Sequence, residues 1–170
     1  MNAMPPVLLS LLWLLALPWS PDDGRESAAG LVQAEHLGSF ALGLPEPEAR
    51  ARLACPSTTS PRTEWGADGL WHFEISAPGC GVTLGLSSPT RDGPASVEAV
   101  TVRAPSRLTS ARGIGVGSPE AVARAAYRHE LDAEASRPGA LLVAGSLYGG
   151  LLMHLDRGRV TELFLGAAAE

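Results

Sequence analysis

Residues 70–76 read Leu-Trp-His-Phe-Glu-Ile-Ser and residues 81–87 read Gly-Val-Thr-Leu-Gly-Leu-Ser, and the fold class turns on these two stretches. Trp71, Phe73 and Ile75 alternate with His72 and Glu74, while Val82, Leu84 and Leu86 alternate with Thr83 and Gly85. A period of two puts successive side chains on opposite faces of a strand, so both stretches predict half-buried strands. One face meets a core and the other meets solvent. A third strand-like run, Val97 to Arg103, follows. Upstream, Leu42-Gly43-Leu44-Pro45-Glu46 leads into a helical stretch from Glu48 to Leu53.

The same order recurs further along. Val116-Gly117-Ser118-Pro119-Glu120 supplies an N-cap serine, a proline suited to the first helical position and an acidic first turn. The helix it opens runs through Tyr127 and is expected to end near His129. Strand-like runs follow at 141–148, 151–156 and 160–165, the last two joined by Asp156-Arg-Gly-Arg159, a hairpin signal. Leu42 to Val116 is a spacing of 74 positions (116 minus 42). The expectation is therefore an α+β fold of two tandem helix–β-meander (α-βββ) units, with antiparallel sheets and the helices packed on one face. Residues 1–29 are read as a signal peptide and the start of a linker, 30–104 as the first unit and 105–170 as the second. A helix of about ten residues is not stable alone and three strands barely are, so two units sharing a core is the physical reason to duplicate.

Composition bounds the function. The chain has 170 residues, 13 basic against 18 acidic, and a formal charge of −5, which disfavours nucleic-acid binding. Every basic residue is arginine, so Schiff-base and P-loop lysine chemistry are excluded. With 45% hydrophobic and 18% charged residues the chain is too apolar for disorder and too interrupted for multiple membrane spans.

Val7 to Leu17 forms an apolar stretch with Ser10 its single polar residue. It is short for a membrane span, for which about 20 residues are needed, and fits the core of a secretory signal. No Arg or Lys precedes it; the candidate cut sites are after Ala16 and at Ser27-Ala28-Ala29. A buried N-terminal helix and an uncleaved anchor are the competing readings. No cysteine sits in the first 54 residues, so a lipobox is absent. Cys55 and Cys80 are the two cysteines, and in an exported chain such a pair reads as a disulfide. The loop of about 26 residues they would close corresponds to about 3.5 kcal/mol in the chain-entropy view. The expected location is periplasmic or secreted.

Thr109-Ser-Ala-Arg-Gly-Ile-Gly-Val-Gly-Ser-Pro-Glu-Ala-Val122, then Tyr127, then Leu155-Asp-Arg-Gly-Arg-Val-Thr-Glu-Leu163, resembles a recurring bacterial envelope pattern. It is similar to the small helix-plus-meander domains of the BamE/SmpA outer-membrane assembly component and of β-lactamase-inhibitor proteins. The resemblance covers Thr109 to Leu165 directly and Leu42 to Arg103 only through the repeat. It implies a protein-binding role in the envelope, without BamE's lipid anchor.

No motif carries chemistry. Gly113-Ile-Gly-Val-Gly117 fails the dinucleotide fingerprint because Ser118 stands where the third glycine belongs. His129-Glu130 opens like a metalloprotease motif, but Ala133 occupies the second histidine position. Gly145-Ser146-Leu-Tyr-Gly149 is mis-spaced for a nucleophile elbow. No catalytic, cofactor-binding or metal-ligating residue is therefore assigned and no cofactor is expected. The remaining candidates are the polar residues expected on the face away from the helices: His72, Glu74, Thr83, Thr101, Arg103, His154 and Asp156. A sheet face of this size matches the roughly 800 Å² that each partner buries in a standard interface. The expectation is a non-enzymatic binding or assembly module of the cell envelope or secretome, contacting a protein partner through that face. A secreted hydrolase inhibitor, or a small exported enzyme using His72 or His154, are the alternatives.

Overall fold

The computed structural model describes residues 30, 31 and 33–168; the apolar stretch at 7–17 and both candidate cut sites lie outside them. The strands are β1 (Thr58–Thr59), β2 (Thr63–Glu64), β3 (Trp71–Ala77), β4 (Val82–Ser88), β5 (Ser96–Arg103), β6 (Leu141–Ser146), β7 (Gly149–Asp156) and β8 (Arg159–Gly166). They form one eight-stranded sheet in the order β1-β3-β4-β5-β8-β7-β6, with β2 also pairing to β3. Each pairing is antiparallel.

This corrects the expected fold. The chain is mostly β, with α1 (Glu46–Arg52) and α2 (Glu120–Ala126) only seven residues each. Each helix buries a single residue, Ala49 or Ala123, so neither forms a layer that could define a unit of its own. The expected separation into two tandem helix–meander units fails at β5 and β8, which pair from Val100↔Leu165 to Arg103↔Glu162. Backbone hydrogen bonds therefore run unbroken across the supposed boundary. Satisfying the inner edges of both meanders removes two exposed sheet edges at once, which is a strong reason to join them.

One face of this sheet carries Phe73, Ile75, Leu84, Leu86, Val100, Val102, Leu163, Leu165, Leu151, Met153 and Leu142, all buried. They pack with Leu37, Phe40, Ile114 and Tyr127 into a single cluster. The apolar set of the period-two alternation is buried as read, except that Trp71 is only half-buried at the end of β3; on the other face His72 is buried as well. Both helices start against strands. Val97 N–H donates to Leu44 O before α1, and Val160 N–H to Ser118 O before α2. The helix N-cap is Pro119, one residue later than Ser118, whose hydroxyl instead accepts the Gly115 N–H at 3.0 Å.

Cys55, after α1, and Cys80, in the turn between β3 and β4, form a disulfide with a Cα separation of 5.8 Å. No helix among the described residues is long and apolar enough to cross a membrane.

Candidate functional site

All seven candidate residues lie on the face opposite the core, as the alternation requires, but they do not form one site. Thr83 and Thr101 are direct cross-strand partners near the centre of the sheet. Arg103 and His154 meet Glu162 of β8 between them: Arg103 Nε donates to Glu162 Oε2, and His154 Nε2 lies 3.9 Å from Oε1. Asp156, one pleat beyond His154, is exposed. His72 and Glu74 belong to β3, four strand positions from β7, a separation of about 19 Å at the usual interstrand spacing. The two histidines therefore cannot act on one small molecule.

His72 departs most from its expected role. A solvated strand-face residue was anticipated, yet its exposure is 7%. Its Nδ1 lies 2.7 Å from Glu98 Oε1 and its Nε2 lies 2.9 Å from Asp68 Oδ2. The Trp65 indole stacks on the imidazole with centroids 3.9 Å apart and planes 18° apart. Two different backbone devices bring these groups to His72. Asp68 and Trp65 come from the tip of the β2–β3 hairpin, where Gly69 takes φ +70°, Gly69 N–H donates to Trp65 O and Leu70 N–H donates to Asp68 Oδ1 at 2.9 Å. Glu98 is the extra residue of a β-bulge, where β4 and β5 shift register between Gly85 and Leu86. A bulge re-aims side chains, and here it turns Glu98 toward His72.

Burial alone would lower the pKa of His72, but the hydrogen bond and charge of Glu98, followed by those of Asp68, outweigh it and raise it above the ordinary value of 6.5. Asp68 is held below its ordinary 3.8, first by the Leu70 N–H and then by His72. Each N–H of the imidazolium donates to a carboxylate, and the cation also stacks on an indole.

A stability profile follows. A histidine whose pKa is raised by folding adds stability that is complete below its unfolded value of 6.5 and lost as pH rises through the folded value. Asp68 works in the opposite direction: its contribution is present above 3.8 and lost as pH falls through its depressed folded value. The melting temperature should therefore decline from mildly acidic to alkaline pH, and the His72→Gln variant should lack that decline. Parallel profiles for the two proteins would refute the ion-paired imidazolium.

Beside this group the face is concave. A cavity of about 550 Å³ is lined by Trp65, Asp68, His72, Glu74, Gly85, Glu98, Ala99 and Phe164, among others. Phe164, Leu152 and the buried Val143 also belong to this face, so it is not polar throughout. The floor is low because Gly85 carries no side chain: a Cβ there would stand 3.3 Å from Ala99 Cβ and 3.8 Å from Glu98 Cγ. Glu74 is the β3 partner of Gly85, and the Glu98 side chain passes over it. Among the described residues no three His, Cys, Asp or Glu side chains are arranged to hold a metal ion.

Asp68, Glu98, Trp65 and Phe164 escaped the sequence reading. One signal for Glu98 was present: Val97 and Val100, three apart in a strand that otherwise alternates, mark a bulge. The Asp68-Gly69 pair marks a turn, but nothing local tells what the turn faces.

No family model matches this chain, and no curated protein and no solved structure matches it either. Within residues 109–165, Arg112 is structural. It donates to Ala126 O at 2.6 Å at the end of α2, pairs with both Glu130 oxygens at 2.6 and 2.9 Å, and lies over the Tyr127 ring.

Proposed function

We propose that this chain is an exported, non-catalytic module, periplasmic or secreted, that recognises a protein partner through the sheet face opposite its core. The observation that carries the reading is the concentration of polar side chains and a cavity on that single face, away from both helices. His72 favours binding over acid/base chemistry, because both its ring nitrogens are held by carboxylates and neither is free to take a substrate proton. The disulfide is compatible with an oxidising compartment.

The test is capture from envelope and culture-supernatant extracts with the purified protein and with a Glu74→Arg, Arg103→Ala double variant. Arg103 is exposed and its pair with Glu162 is worth at most about 1 kcal/mol, so the variant keeps the fold. Recovery of a defined partner by the unaltered protein should fall at least about tenfold in the variant, the loss of one strong polar contact. Equal recovery by both proteins, or none above a mock surface, would refute the face as the recognition surface.

A further inference from the structure

We propose that the cavity beside His72 receives the guanidinium of an arginine side chain presented by the protein partner, with Glu74 and Glu98 as its carboxylate ligands. This deepens the reading of the sheet face as a recognition surface, and rests on it for the source of the arginine. The cavity's volume of about 550 Å³ lies within the usual range for ligand sites. The lining brings three carboxylates, Asp68, Glu74 and Glu98, and no arginine. Even with His72 protonated the cavity is net anionic.

The carboxylates are not equivalent. Asp68 uses Oδ1 on the Leu70 N–H and Oδ2 on His72. Glu98 spends Oε1 on His72, and its other oxygen meets no donor among the described residues. The Glu74 carboxylate pairs with no cation among the described residues. The two groups with spare acceptor capacity thus meet at Gly85: Glu74 is its β3 partner, and the Glu98 side chain passes over it with Cγ 3.8 Å from where a Gly85 Cβ would stand. A planar guanidinium with five fixed donors suits two such carboxylates, and it also stacks on aromatic faces. Trp65, 42% exposed, and Phe164 supply those faces. An ammonium would use the charge but neither the planes nor the paired donors. The carboxylate excess of the lining, in a chain of net charge −5, attracts a basic partner segment to the cavity.

His72 gives the site a signature. Its proton and the incoming guanidinium compete for Glu98. The groups facing the imidazole are Asp68 from the hairpin tip, Glu98 from β5 and the neutral indole of Trp65, with Glu74 on its own strand. Arginine binding should therefore tighten as pH rises through the titration of His72, and by reciprocity should lower the pKa of His72. Attraction to the carboxylates alone would give no step across the His72 titration.

The experiment is an NMR titration of the full chain, following the His72 and Trp65 ring signals. The probes are a short arginine-containing peptide, the same peptide with citrulline replacing arginine, and agmatine as a free guanidine. The arginine peptide should saturate and bind at least about tenfold tighter than the citrulline peptide. Glu98→Gln and Glu74→Gln should each weaken it by about tenfold. Glu74→Gln keeps the test decisive if Glu98→Gln disturbs the His72 pair, because Glu74 has no partner to lose. Equal binding of the citrulline peptide, no saturation up to about 10 mM, or a pH-independent affinity across the His72 titration would overturn the proposal. Tighter binding of agmatine than of the peptide would overturn the partner as the source. Should the peptide fail while the Glu74→Arg, Arg103→Ala variant still loses the partner, this inference falls alone. Should the peptide bind while that variant retains the partner, the sheet-face reading falls and the cavity stands.

Discussion

Replacing both Cys55 and Cys80 by Ala should cost the fold about 3.5 kcal/mol, the chain-entropy value for a loop of this size. For a domain of this length that corresponds to a fall in melting temperature of about 10 °C. The cross-link joins the segment after α1 to the turn between β3 and β4. Without it, residues 56–70, including the two-residue strands β1 and β2 and the hairpin tip with Trp65 and Asp68, are held by their pairing with β3, by Arg62 on Arg91 O, Gly93 O and Glu46, and by Asp68 and Trp65 on His72. The loss should nevertheless appear as one transition for the whole protein. β5 pairs with β8, and a single buried cluster runs from Phe73 to Leu142, so neither half has a core of its own. Far-ultraviolet circular dichroism of the reduced protein and of the double variant would check this. A biphasic melt, with β6, β7 and β8 surviving the first step, would contradict the shared core; a cost under about 1 kcal/mol would contradict the entropic account.

The strands were legible because alternation is a local signal. Trp71 to Ile75 and Val82 to Leu86 show period two because one face meets Val100, Val102 and Leu163, and no neighbouring residue is needed to see it. Pairing is not local. Nothing in residues 97–103 or 160–165 says that these two strands choose each other, and the recurrence 74 positions apart pointed toward separate units. The helices misled for a related reason. Alanine and arginine favour helix over more than two turns, yet in each case only one alanine, Ala49 or Ala123, is fully buried, and a helix lives by its buried face more than by propensity. Strands β1 and β2, at two residues each, are too short to show any period.

The site was half legible for the same physical reason. His72 and Glu74 stood out as a histidine and a carboxylate on one strand face, and their face is as expected. The carboxylates that bind His72 are others, Asp68 four residues upstream and Glu98 twenty-six residues downstream. A hairpin tip delivers the first and a bulge the second, and both are departures from the regular periodicity that pattern reading depends on. Polar groups gathered at such irregularities fit the expectation that local rules are broken where sites lie.

Glu35 tests the least visible part of the architecture. The residues just ahead of Leu37 show no hydrophobic periodicity, yet Glu35 is 2% exposed. Its carboxylate accepts the Tyr127 hydroxyl at 2.7 Å, the Ala111 N–H at 2.6 Å and the His36 N–H at 3.1 Å. Tyr127 Oη and Ser110 Oγ lie 2.7 Å apart, and the Ser110 hydroxyl accepts the Ile114 N–H at 3.2 Å. A segment before the first strand is thereby fastened to the loop before α2 and to the residue that ends it. Burial, with the carboxylate beside it, pushes the Tyr127 hydroxyl far above its ordinary value of 10.0, so it stays protonated and donates at every accessible pH. Hydrogen bonds to a charged group contribute about 1.5–3 kcal/mol each, and water can replace only part of a buried set. Glu35→Ala should therefore destabilise the protein by about 2–4 kcal/mol. Tyr127→Phe, which leaves both backbone donors on the carboxylate, should cost about 1–2 kcal/mol. The double variant should cost less than the sum, since each single change already breaks the shared bond. Urea denaturation of the three variants measures all of this. Strict additivity would mean that Glu35 and Tyr127 do not bond, and a cost for Glu35→Ala within about 0.5 kcal/mol of zero would mean that this fastening adds nothing to the fold.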